Sequence, residues 1–200
     1  MTESPGAILG IPSFNVARLR GRTRNALIGG MFGAVWLFNG VYWGGIGGNA
    51  LSTAVALCGI AFVTWPATRL RSLRRLPLSG EDSQHRIALR GPYWVDVAIE
   101  CLACIGAVVW LAHTRRYDLI PQSFGVIIGL HFLPLAKIFR MPIYYATGAV
   151  MASGALASLA IPTGNVRNLS ACGVIGLSLW ATAAVILWQD RIFLPKAPIT

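Results

Sequence analysis

Three side chains could do chemistry in this chain by their type and placing: His131, Glu100 and Asp96. His131 lies in the sequence GLHFLPLAKIFRMP, residues 129–142. Around it, residues 119–136 are apolar apart from Gln122, Ser123 and His131. A membrane-spanning helix needs about 20 mostly apolar residues, so His131 falls near mid-membrane. Asp96 and Glu100 are the acids inside the preceding apolar stretch. Their i, i+4 spacing puts both carboxylates on one helix face, one turn apart. An imidazole and carboxylates in low dielectric are suited to relaying protons, or to holding a cation or polar solute. The competing role is structural, in which the groups satisfy one another and lock helix packing.

Depth arithmetic relates these residues. Glu100 lies seven residues after Tyr93, roughly 10 Å into the span at 1.5 Å per residue. His131 lies nine residues before Arg140, roughly 13 Å in by the same rise. Consecutive antiparallel helices are usually neighbours, so a Glu100–His131 contact is expected. Asp96 and Lys137 both sit about one turn from the same edge and form a second expected pair, although Lys137 can also snorkel to the headgroups. His131 and Lys137 point about 120° apart on a helical wheel, so one rotation of the helix conflicts with serving both pairs. Asn39 is the strongly polar residue of the first apolar stretch and joins the expected pocket. Pro134 removes the hydrogen bond to the Leu130 carbonyl, which predicts a kink or a free carbonyl beside the histidine. The expectation is a water-accessible pocket of Asn39, Glu100 and His131, with Asp96 at its mouth.

Composition supports this setting. A chain of 200 residues that is 55% hydrophobic, only 12% charged and +0.61 in mean hydropathy is too apolar for an ordinary soluble domain. Six apolar stretches are expected to span, at about 26–46, 49–67, 93–112, 119–139, 143–161 and 169–188. They predict an all-α, six-span transmembrane bundle forming one domain over 26–190, between an N-terminal segment (1–25) and a tail (191–200). A basic loop is expected at 69–92. Placing lysines and arginines in alternate connections puts 14 of the 17 on one side and three on the other. The positive-inside rule then sets both termini in the cytoplasm. The long first stretch lacks a cleavage site, which argues against a signal peptide. The matched spacing of Phe32-Gly33 before Asn39 and of Phe124-Gly125 before His131 suggests a 3+3 inverted repeat.

Several classes are excluded. The net charge of +10 comes from arginines between apolar blocks, without any nucleic-acid-binding motif, so no nucleic-acid partner is expected. The four cysteines all fall within spans, which argues against a disulfide framework, and Cys101-x-x-Cys104 lies mid-helix rather than at an activating N-terminus. No P-loop, G-x-S-x-G or H-E-x-x-H motif is present, and a single intramembrane histidine argues against haem. No enzyme activity, cofactor or metal is expected. Expected partners are the bilayer, anionic headgroups at the basic loop and a second copy of the chain. The leading functional expectation is a small transporter or channel for an ion or polar solute in a bacterial cytoplasmic membrane. A non-transporting partner, sensor or structural protein is the alternative, and a lipid-acting enzyme the third.

Overall fold

The computed structural model describes residues 16–45, 48–75, 80–162 and 164–192, with side chains left aside at 49, 80–90 and 190–192. Residues 1–15 of the expected N-terminal segment, and 193–200 of the tail, lie outside the described residues. Among those described, the chain is all-helical. Its helices are α1 (Val16–Trp43), α2 (Asn49–Arg74), α3 (Gly80–His113), α4 (Ile120–Phe139), α5 (Ile143–Ala157) and α6 (Asn165–Ile192). Short 3-10 turns open α4 (Tyr117–Leu119) and close α5 (Ser158–Ala160). Each helix, α5 together with its closing turn, is long and apolar enough to cross a membrane.

Several helices outrun their apolar stretches. Residues 69–74 of the segment expected as a basic loop continue α2, and residues 80–92 open α3. Arginine is a good helix former. Arg71 and Arg74 also lie in the last turn of α2, where positive charge suits the exposed carbonyls. The span was legible from hydropathy; the helix is longer because backbone hydrogen bonding does not stop at the membrane edge.

Glycine contacts assemble the core. α1 packs along α6, where the two backbones meet at Gly33 and Gly176. A Cβ on Gly176 would lie 2.8 Å from the Gly33 oxygen, and one on Gly33 would overlap the Trp180 ring. Lipid tails give no hydrophobic drive for helix association, so such close van der Waals approach carries the packing. α2 joins through Pro66, which deprives the Phe62 carbonyl of its helical donor. That oxygen faces Gly30, where a Cβ would lie 2.5 Å away. The Gly30 carbonyl accepts a hydrogen bond from Trp180 Nε1 at 3.0 Å, and Phe62 stacks on Trp180 at 4.9 Å.

α4 and α5 form a second tight pair at Gly129 and Gly148, where an added Cβ on Gly129 would meet the Gly148 oxygen at 2.8 Å. Between them Arg140 adopts a left-handed conformation (φ 51°), and Met141 N–H closes the turn onto the Ala136 carbonyl at 3.0 Å. α6 is the most buried span and α3 the least, since α3 packs chiefly against α4.

Side chains tie the helix ends together. At the Arg-rich end Arg20 donates to the Leu73 carbonyl at 2.8 and 3.0 Å, Arg69 to the Leu187 carbonyl at 3.3 Å, and Arg22 to Gln189 at 2.7 Å. The start of α1 therefore meets the ends of α2 and α6. At the opposite end Arg167 pairs with Asp118, and Gln122 donates to Asn168 at 3.4 Å.

Candidate functional site

α3 presents one narrow seam to α4. Tyr93, Asp96, Glu100, Cys104, Ala107 and Leu111 recur every three or four residues and, with Val97 and Ala112 beside them, are the shielded positions of the span. Val95, Ile99, Leu102 and Val109 turn outwards. The helical period alone thus carries both carboxylates onto the face that meets α4. A tilted ring contact between Tyr93 and Phe139, 5.9 Å between centroids, sets the register of the two helices.

In that register His131 sits between the two acids. Its Nδ1 lies 3.1 Å from Asp96 Oδ2, and its Nε2 lies 3.3 Å from Glu100 Oε2. The side chains of His131 and Asp96 are only 10% and 12% exposed, and that of Glu100 22%. The fit is geometric. Residues one turn apart on a helix have Cβ atoms about 5–6 Å from each other, a gap that one imidazole ring can bridge with a nitrogen facing each carboxylate. On the Asp96 side both contacting atoms, Oδ2 and Nδ1, are shielded from solvent.

The Glu100–His131 contact is present. Asp96 faces His131 rather than Lys137, because the rotation that turns His131 to α3 leaves Lys137 exposed in the last turn of α4. Among the described residues no ion pair includes Lys137. Asn39 does not join the trio. Trp36 contacts Phe124 at 5.7 Å, and from those two anchors Asn39 lies roughly 15 Å from the level of His131 at 1.5 Å per residue. It donates instead to the Val35 carbonyl of its own helix at 2.9 Å. The glycine-lined face of α1 binds it to α6 and leaves Asn39 with its own backbone. Pro134 lies within α4, which runs through it from Ile120 to Phe139. Cys101 is exposed and Cys104 lies on the seam, so the C-x-x-C pair diverges.

Neither of two cavities near α1 and α2 is lined by the trio. One of about 320 Å³ touches Phe38, Tyr42 and Ser52. The other, about 550 Å³, is an apolar groove between Met31, Val35, Ala56 and Ile60. Metal binding is disfavoured by the trio's own directions, because its carboxylates face opposite ring nitrogens and do not converge on a point. Among the described residues no group of three or more His, Cys, Asp or Glu is arranged to hold a metal ion.

Sequence reasoning passed over the cluster at the other end, where buried Arg167 and Gln122 meet Asp118 and Asn168. One signal was available. Asp118 is the lone acid among the connections at that end, and Arg167 one of only three basic residues there.

Residues 97–190 match the sequence model of a family of unknown function, DUF7010. The matched region takes in Glu100, His131 and the helices α4 and α5, so the half of the site on α4 and the deeper acid of α3 lie within it. No curated protein matches the chain, and no solved structure does.

Proposed function

We propose that this multi-pass membrane protein is a small transporter or channel-like protein for an ion or small polar solute, in which the Asp96–His131–Glu100 trio handles the transported or coupled charge. The observation that carries the reading is His131 held between two carboxylates, at 3.1 and 3.3 Å, inside a span. Ionisable groups at that depth are expensive, and by default they point to ion pathways and proton relays. The positive-inside rule supports an orientation with the Arg-rich end in the cytoplasm of a bacterial cell. Arginines exposed there, such as Arg71 and Arg74, suit contact with anionic headgroups. The reading is non-enzymatic.

A second reading has its own support. The trio fills the α3–α4 seam rather than lining either cavity described above, which is what a purely structural clasp in a partner or sensor protein would do. Flux separates the two. In proteoliposomes under an imposed pH gradient, wild type should carry protons above empty vesicles, and Glu100→Gln and His131→Ala should each abolish the excess while keeping a folded, monodisperse protein. Absence of flux in wild type sinks proton conduction. Intact flux in both variants sinks the role of the trio.

A further inference from the structure

Resting on that reading, we infer that the trio is a proton relay in which His131 passes a proton from Asp96 at Nδ1 to Glu100 at Nε2, so that the coupled ion is the proton and not a metal cation.

Three observations converge. First, the donors diverge. A bound cation needs oxygens and nitrogen aimed at one point, whereas Asp96 Oδ2 and Glu100 Oε2 face opposite nitrogens of one ring. Second, the two acids differ in depth. The Tyr93–Phe139 contact marks the Arg-rich end of the seam, and Asp96 is one turn nearer to it than Glu100, roughly 6 Å along the helix. Third, the Asp96–Nδ1 contact is close and enclosed, with both atoms shielded from solvent.

The step balances without any co-reactant. Protonated Asp96 gives its proton to an unprotonated Nδ1, while the proton on Nε2 leaves for the Glu100 carboxylate. The bonds broken are Asp96 O–H and Nε2–H; those formed are Nδ1–H and Glu100 O–H. One proton has moved one turn deeper, and the imidazole has exchanged tautomers without keeping a charge. The next transfer follows once Nδ1–H has been exchanged for Nε2–H, with water as the exchanging partner. The titratable side chains beside the trio are Tyr93 and Cys104 on the same seam of α3, and Tyr144 of α5 across the Phe132 ring, 5.3 Å from it. Lys137 of α4 points away.

The test is nitrogen-15 NMR of histidine-labelled full-length protein in lipid bilayers, with the His131 signals assigned by their loss in His131→Ala. In wild type both ring nitrogens should be averaged between protonated and unprotonated forms. Asp96→Asn and Glu100→Gln, which keep shape but remove one proton acceptor each, should slow that exchange at least tenfold and leave one tautomer. A single fixed tautomer in wild type, or averaging that survives both substitutions, overturns the relay. The readout is independent of flux. Averaging lost in the variants without any wild-type flux would retain the relay and refute transport. Flux that persists in Asp96→Asn would refute the relay and retain transport.

Discussion

His131→Leu should expose how far the two carboxylates depend on the ring between them. Removing the imidazole leaves Asp96 and Glu100 about one turn apart with no polar partner between them. At about 6 Å and an effective dielectric of about 20, two ionised carboxylates would repel by about 3 kcal/mol, which is the upper bound on this term because protonating either acid removes it. Breaking an enclosed pair by deleting one partner costs about 3–5 kcal/mol. The partial exposure of Glu100, 22%, argues for the lower end, so the predicted loss is about 3 kcal/mol. Adding Asp96→Asn and Glu100→Gln should recover most of it, to within about 1 kcal/mol of wild type, because no charge is then left unpaired. Reversible urea unfolding in detergent micelles, followed by tryptophan fluorescence and extrapolated linearly, measures all three proteins. A single variant within about 0.5 kcal/mol of wild type would refute the reasoning, since the carboxylates would then be solvated rather than enclosed by the seam.

Two further outcomes test the packing and the orientation. Gly148→Ala places a methyl group against the Gly129 carbonyl and 3.1 Å from Phe132 Cβ, so it should cost about 1–3 kcal/mol by overpacking. Gly106→Ala, with nothing within 4 Å of its added Cβ, should be neutral or gain up to about 1 kcal/mol from helix propensity; the same unfolding assay compares them. With the native cysteines replaced, Arg116→Cys should react with an impermeant maleimide in intact cells, and Arg74→Cys only after permeabilisation. The reverse pattern would invert the proposed orientation.

The number of spans and the Glu100–His131 contact were legible because both depend on quantities that sequence carries directly. Length and hydropathy define a span. The distance of each polar residue from its nearest interfacial landmark, Tyr93 or Arg140, defines its depth. What could not be read was rotation. α4 could have turned either His131 or Lys137 to α3, and the two lie about 120° apart on its wheel. Small-residue contacts at Gly129, against Gly148 and Ala152, hold α4 on α5 and so choose which side faces α3. Asn39 was displaced in both depth and partner: the Trp36–Phe124 contact sets it roughly 15 Å from the level of His131, and the close approach of Gly33 to Gly176 commits α1 to α6.

The position of α3 sharpens what the trio must do. Within its span Leu111 is the one large side chain almost wholly enclosed, at 1% exposure, while Trp94, Val95, Ile99, Leu102 and Val109 all face outwards. Lipid solvates those residues as well as protein would, so they contribute no drive to hold α3 on the bundle. Attachment then falls on the seam: the Tyr93–Phe139 contact at one end, Leu111 at the other, and the two carboxylate–imidazole contacts between. A proton added to or lost from any member of the trio changes the charge of the central contact. Relay and clasp act through one contact, because the group that would carry the proton is also the group that joins the helices. They separate in their response to Asp96→Asn. A clasp loses stability when Asp96 is neutralised, in proportion to the pairing lost. A relay loses its tautomer exchange even where stability is kept. Measuring both quantities on one variant assigns the residue.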